Sequence, residues 1–291
     1  MDPELEAFLP FLPPNDLTDP VTARKNLTAI AASRPVPDTS AMTIEDLLVP
    51  ADPPVPVRVY RPDGARGTVI WLHGGGSVMG TLDTEHPWAA AIAGLSGAVV
   101  ISVEYRLSPE NRFPAALDDA YAVLTWAAER GGPIAVGGHS AGGALAAGIA
   151  LRARDEDGPA IRLQLLNEAG LDDRQRTWSA RAFTDTPWLD RGKVAAGWRH
   201  YLGDAEATRY AAPARETDLS GLPPAYIATA ELDPNRDEDI DYAVRLLHEG
   251  VPVELHQWPG TFHGSLAIQS ADISQRQIAT LTAALRRALA G

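Results

Sequence analysis

The chain has no cysteine. That excludes disulfides, thiolate metal sites and a cysteine nucleophile, and it is neutral on redox compartment. Basic residues are in deficit: 25 Lys and Arg stand against 38 Asp and Glu, a formal net charge of −13 over 291 residues. An acidic surface repels phosphate backbones and anionic lipid, so nucleic-acid binding and peripheral membrane roles are set aside. No apolar run approaches transmembrane length, and the start, Met1-Asp2-Pro3-Glu4-Leu5-Glu6, lacks the basic region and apolar run of a signal peptide. A soluble cytoplasmic protein is expected. No internal repeat is visible. With 45% hydrophobic residues, the chain has material for one large core, or for a core with a small appended unit.

What is present centres on Pro133–Gly143. Apolar Ile134-Ala135-Val136 has strand character, Gly138-His139-Ser140-Ala141-Gly142 fits G-x-S-x-G, and Ala144–Leu151 is an Ala/Leu-rich helical stretch. Strand, sharp turn and helix form the context of a nucleophile elbow. Side chains at Gly138 or Gly142 would collide with the neighbouring strand and helix. The helix start behind Ser140 offers free N–H groups and positive dipole to a developing anion.

Around this stretch the sequence predicts alternating strands and helices. Residues 1–40 carry many prolines (Pro3, Pro10, Pro13, Pro14, Pro20, Pro35, Pro37), with helical pieces around Glu4–Leu9 and Thr18–Ser33, and read as an arm lying on something else. Thr43–Val49 and Val55–Arg61 read as an antiparallel pair. Strands follow at Thr68–Leu72, Ala98–Val103 and Ile161–Leu166, with helices at Glu85–Leu95 and Pro114–Arg130. The alternation lapses between about 175 and 212, where Trp178, Phe183, Trp188, Trp198, Tyr201 and Tyr210 stand in helical-looking pieces, a candidate insertion. It returns with the strand Ala225–Ala230, the helix Glu238–Glu249, the strand Val253–Trp258 and a terminal helix from about Ile273 to Ala290. Such alternation means a mostly parallel sheet covered on both faces.

Acyl transfer by serine needs a nucleophile, a base, a residue that orients the base, and donors for the oxyanion. Ser140, Asp233 and His263 each follow a predicted strand, in the chain order of α/β-hydrolases. His73-Gly74-Gly75-Gly76 follows the Thr68–Leu72 strand, where backbone N–H groups of Gly75 and Gly76, with that of Ala141, would surround a carbonyl oxygen.

With these residues in place, the chain resembles the hormone-sensitive-lipase-like esterases, bacterial family IV. The blocks are His73-Gly74-Gly75-Gly76, Tyr105-Arg106-Leu107-Ser108-Pro109-Glu110, Phe113–Asp119, Gly138–Gly143, Leu232–Glu238 and Phe262-His263-Gly264. The resemblance runs from about Val57 to the C-terminus. It implies an α/β-hydrolase fold with a mostly parallel, doubly wound, eight-stranded sheet and a helical cap. The cap would come from the arm 1–40 and the insertion 175–212, and the core from 41–174 and 213–291. The activity implied is carboxylic ester hydrolysis, with no metal or cofactor; a cap roofing the strand ends would make the pocket finite and favour short-to-medium acyl chains. Ser140 maps to the nucleophile, Asp233 to the acid, His263 to the base, and Gly75, Gly76 and Ala141 to the oxyanion donors. The partner is a small-molecule ester, and the family permits a homodimer.

Three departures from the family pattern stand out. Ser77 replaces an aromatic residue after the glycines. His139 replaces an acidic residue before the serine and reads as a turn residue. Asn167-Glu168-Ala169 stands where a Tyr-Pro pair is common. Glu168 either forms a salt bridge to Arg174 or Arg176 or presents a polar group to the substrate pocket. The insertion's aromatics, Trp188 among them, either line an acyl pocket or form the cap's own core. Ser77, His139, Glu168 and Trp188 are thus the candidate pocket residues. Amidase, lactonase and acyltransferase chemistry use the same triad. Plant gibberellin receptors share the family likeness but lack the catalytic histidine, which is present here as His263.

Overall fold

A computed structural model describes residues 1–12, 14–33 and 37–290. Pro13 and Pro35, within the proline-rich arm, lie outside the described residues. Eight strands form one sheet: β1 (Met42–Val49), β2 (Val55–Pro62), β3 (Thr68–Leu72), β4 (Val99–Val103), β5 (Ile134–His139), β6 (Leu163–Asn167), β7 (Ala225–Leu232) and β8 (Val253–Phe262). Their order across the sheet is β1-β2-β4-β3-β5-β6-β7-β8. β1 and β2 are an antiparallel ribbon joined antiparallel to β4, and every other pairing is parallel. The helices are α1 (Pro3–Glu6), α2 (Pro20–Ser33), α3 (Leu82–Ser96), α4 (Ala115–Ala128), α5 (Ala141–Asp155), α6 (Trp178–Ala182), α7 (Arg191–Leu202), α8 (Arg236–His248) and α9 (Asp272–Leu289).

Strand periodicity builds two apolar layers. Ile70, Leu72, Ile101, Val103, Val136, Leu166 and Ile227 point to one face, where Leu124, Leu145, Ile149 and Leu246 of α4, α5 and α8 cover them. Val69, Trp71, Val100, Ala135, Leu165 and Tyr226 point to the other, beneath Ile92 of α3 and Leu281 and Leu285 of α9. With both faces covered, the central strands carry continuous apolar runs, as parallel sheets do.

The arm is fastened at several points: Asp2 N–H donates to Gly260 O (2.9 Å), Asp272 N–H donates to Glu4 (2.7 Å), Leu5 is buried against Phe262, and Arg24 makes the densest set of bonds. Arg24 of α2 donates to Val78 O (2.6 Å), to Ser108 O (2.8 Å) and to both oxygens of Glu110 (2.8 and 2.7 Å). Leu17 and Ala23 then pack with Val78, Met79, Leu189 and Ala196, joining the N-terminal segment, the loop after β3 and the segment 175–212 in one small cluster. Among the described residues no helix is long and apolar enough to cross a membrane.

Candidate active site

Parallel strands end on the same edge of the sheet, and the chemistry-bearing residues collect there. β5 ends at His139 and α5 begins at Ala141, leaving Ser140 alone in the turn at φ 56°, ψ −120°. That conformation is strained for a residue with a side chain, and three backbone hydrogen bonds support it: Ser140 N–H donates to Asn167 O (2.9 Å), and Ser140 O accepts from Ala144 N–H (3.1 Å) and Gly170 N–H (3.4 Å). The flanking glycines are obligatory. A Cβ on Gly138 would meet Gly142 C at 2.4 Å and Leu72 O at 2.5 Å, and one on Gly142 would meet Leu72 O at 2.0 Å.

β7 ends at Leu232 and delivers Asp233; β8 ends at Phe262 and delivers His263. Asp233, fully buried, accepts the N–H of Asn235 on Oδ1 (2.9 Å) and the Nδ1–H of His263 on Oδ2 (2.8 Å). With Nδ1 carrying that proton, His263 Nε2 is the acceptor for the Ser140 hydroxyl at 2.9 Å. Burial works against protonation of His263, but the charge and hydrogen bond of Asp233, with Glu168 adding, outweigh it and raise its pKa above the ordinary imidazole value. The carboxylates nearby in sequence are committed elsewhere: Asp237 accepts Ser179 N–H (2.8 Å), and Glu238 accepts Leu171 N–H (2.6 Å) and Asp172 N–H (3.1 Å).

The glycine loop lies opposite. Gly75 (φ 125°) and Gly76 (φ 59°) adopt conformations that side chains disfavour, and a Cβ on Gly75 would meet Met79 O at 2.1 Å. Ala141 opens α5, so its N–H has no carbonyl one turn below it. The loop is braced from beneath. His73 stacks on Tyr105 (4.1 Å between centroids), donates from Nδ1 to Gly74 O (2.7 Å), and its carbonyl accepts the Tyr105 hydroxyl (2.7 Å). Burial pushes the His73 imidazole down to about 4, so it stays neutral as a spacer.

Two expectations are corrected. His139 is not a turn residue: it closes β5, paired in register with Asn167. Glu168 does not pair with an arginine. Arg174 instead holds Asp172 at 2.7 Å, whereas Glu168 Oε2 accepts His139 Nε2–H at 2.9 Å and Gly264 N–H at 2.6 Å. Both corrections have one cause. β6 ends at Asn167, so Glu168 at φ 50° turns inward along the strand ends and not outward to the solvated arginines. Burial opposes ionisation of Glu168, but the hydrogen bonds and charge of His139, with His263 and Gly264, hold its carboxyl below the usual range. His139, Glu168 and His263 present ligand-type atoms within 4.8 Å of one another, the one such cluster found among the described residues. The carboxylate oxygen and both His263 nitrogens are already engaged there by protein partners.

Ser140 opens onto two connected chambers. The larger, about 150 Å³, is lined by His139, His263, Trp71, Glu85, Trp88, Trp188 and Leu281 among others. The smaller, about 60 Å³, is lined by Ser77, Ala141, Leu145, Val194, Trp198 and Tyr201 among others. Gly76, Leu17, Ser140 and Leu189 border both. Of the candidate pocket residues, Ser77 faces the small chamber, and His139 and Trp188 the large one. Glu168 lies behind His139 and His263. The insertion's aromatics divide: Trp188, Trp198 and Tyr201 reach the chambers, whereas Trp178 is exposed and packs edge-on against Phe183. Trp71, Trp88 and Leu17 were missed in the sequence because a pocket wall carries the same apolar pattern as a core.

A doubly wound sheet with Ser, His and Asp hydrogen-bonded in series at its strand ends defines an α/β-hydrolase. Residues 69–267 match the family described as "alpha/beta hydrolase fold". The chain belongs to that family, in its hormone-sensitive-lipase-like branch. It is 43% identical to esterase LipI of Mycobacterium tuberculosis over 226 residues, 72% of this chain and 71% of the relative. It is 41% identical to carboxylesterase NlhH of the same organism over 255 residues, 79% of each. Among solved structures it is similar to a bacterial heroin esterase, with a TM-score of 0.94 and 42% identity over 99% of this chain and 98% of that one.

Proposed function

We propose that this chain is a carboxylesterase-type serine hydrolase that cleaves short-to-medium acyl carboxylic esters through Ser140, His263 and Asp233. The observation that carries the reading is the unbroken series Ser140 Oγ, His263 and Asp233 at 2.9 and 2.8 Å, buried at the floor of a cavity. His263 Nε2 takes the hydroxyl proton as Ser140 Oγ attacks the ester carbonyl. Asp233 holds the tautomer and stabilises the imidazolium. The N–H groups of Gly75, Gly76 and Ala141 receive the oxyanion. The imidazolium then protonates the leaving alcohol, and a water activated by His263 hydrolyses the acyl-enzyme.

The lining of the chambers supports one assignment of the two halves of the ester. The leaving oxygen must sit against His263 Nε2, and His263 lines only the larger chamber, so the alcohol half goes there. The acyl half then occupies the smaller, apolar chamber beside Ala141. We read the arm 1–40 and the insertion 175–212 as a cap over a core made of 41–174 and 213–291. Leu17 and Leu27 from the arm, with Trp188, Leu189 and Val194 from the insertion, supply the roof. Each methylene buried in the acyl chamber contributes up to ~0.8 kcal/mol until the space is filled. Activity on para-nitrophenyl esters should therefore peak at about C2 to C6 acyl chains, and matched amides should turn over far more slowly. A profile still rising at about C12, or amide turnover equal to ester turnover, would overturn the reading.

A further inference from the structure

Glu168 follows β6 directly, is buried, and sits at φ 50°, where a side chain is held only under strain. Its Oε2 is a junction. It accepts the N–H of Gly264, the residue after His263, at 2.6 Å. It accepts Nε2–H of His139, the residue before Ser140, at 2.9 Å. It also lies 3.8 Å from His263 Nδ1, whose hydrogen bond goes to Asp233. One oxygen therefore ties the turn that carries the base to the strand end that carries the nucleophile, and the same oxygen faces the base. The two histidine rings lie 5.2 Å apart, tilted by 37°.

Resting on the assignment of Ser140, His263 and Asp233 as the triad, we propose that Glu168 is a positioning residue: a second carboxylate beside His263 that locks the His263–Gly264 turn to the Ser140 elbow and adds to the stabilisation of the imidazolium. Glu168 exchanges no proton. In each half-reaction the proton moves between Ser140 Oγ (later the attacking water or the leaving oxygen) and His263 Nε2, and the positive charge that results faces Asp233 and Glu168 together. The other titratable groups packed around Glu168 are few. His139 approaches from β5, Asp233 from the end of β7, and Asp239 from α8. Burial pushes the Asp239 carboxyl well above its usual range, as it does that of neighbouring Glu238. Burial thus disfavours the charged form of Asp239 and Glu238, whereas Glu168, against its own burial, is held towards its charged form by His139, His263 and the Gly264 N–H, with its Oε2 3.8 Å from His263 Nδ1.

The test compares Glu168→Gln, Glu168→Ala and Glu168→Asp, with folding checked by thermal melt. The amide of Glu168→Gln still accepts the Gly264 N–H but carries no charge. It should move the acid limb of kcat/KM to lower pH, because a removed anion no longer favours protonated His263. Plateau kcat should fall roughly tenfold with KM little changed, since the lost interaction is strongest in the charged transition state. Glu168→Ala should show the same limb shift with a larger loss of kcat, and it supplies the readout if the Gln variant folds poorly. Glu168→Asp should restore the limb. The shift should persist in a His139→Gln background, where the neighbouring imidazole cannot be its source. A folded charge-removing variant with an unmoved acid limb and kcat within about twofold of wild type would overturn the proposal. Activity surviving in Ser140→Ala would overturn the triad assignment itself, a distinguishable failure.

Discussion

Gly142→Ala adds a single methyl group to the first turn of α5, and the structure says what it meets. The new Cβ would lie 2.0 Å from Leu72 O and 2.5 Å from His73 O. Both are backbone atoms, and both belong to the end of β3 and the start of the glycine loop, so neither can rotate away. Even a tight contact requires about 1 Å more separation than the 2.0 Å available. Either α5 rises off β3 or the loop moves, and both displace Ser140 relative to His263 and the Gly75 and Gly76 N–H groups. Overpacking of this kind costs about 1–3 kcal/mol, with the upper end expected where backbone must shift. A misplacement of ~1 Å at the reacting atoms costs on the order of 10²-fold in rate. The assay pairs a denaturant melt with kcat on a short-chain ester. Gly97→Ala is the control: it meets nothing within 4 Å but sits at φ 68°. It should therefore lose about 1–2 kcal/mol of stability with turnover intact. A Gly142→Ala variant as stable and as active as wild type would refute the steric account of the elbow.

Other outcomes follow from the same geometry. Asp233→Asn should keep the fold and lower kcat by roughly 10⁴-fold, because the tautomer that leaves Nε2 free is lost; near-normal kcat in a folded variant would assign the role to another carboxylate. The pH profile of kcat/KM should rise from acid along one ionisation. Only neutral His263 can take the Ser140 proton and its pKa is raised, so activity falls as pH drops through a midpoint above the ~6.5 of an ordinary imidazole. A flat profile from about pH 5 to 8 would contradict a histidine base.

Much of this arrangement was legible in the sequence where one local rule decides. β3 was read to the residue, and the β1–β2 ribbon to within one, because short β-rich runs were bounded by proline and glycine. β8 was cut short. The strand predicted from the sequence stops at Trp258, before Pro259, but at the sheet edge a proline need not donate to the ladder, and the strand continues to Phe262. That extension is what brings His263 to the strand end. His139 reads locally as part of a Gly-rich turn, but pairing with β6, invisible to a local reading, carries the strand past Val136 through Gly137 and Gly138 to His139. Glu168 was mispaired for a related reason. Arg174 and Arg176 are near in sequence, whereas its actual partners, His139 and Gly264, come from other strand ends. The cavity was least legible. Its walls combine Leu17 from the arm, Trp71 from β3, Trp88 from α3 and Leu281 from α9, and no single segment carries a signal for it.

The central claim is that one serine, at the end of β5, is activated. Treatment with a fluorophosphonate probe followed by peptide mapping tests it directly. The account predicts one adduct, on Ser140, that is absent from folded Ser140→Ala along with ester turnover. Undiminished labelling in Ser140→Ala, or an adduct mapped to another residue, would contradict it.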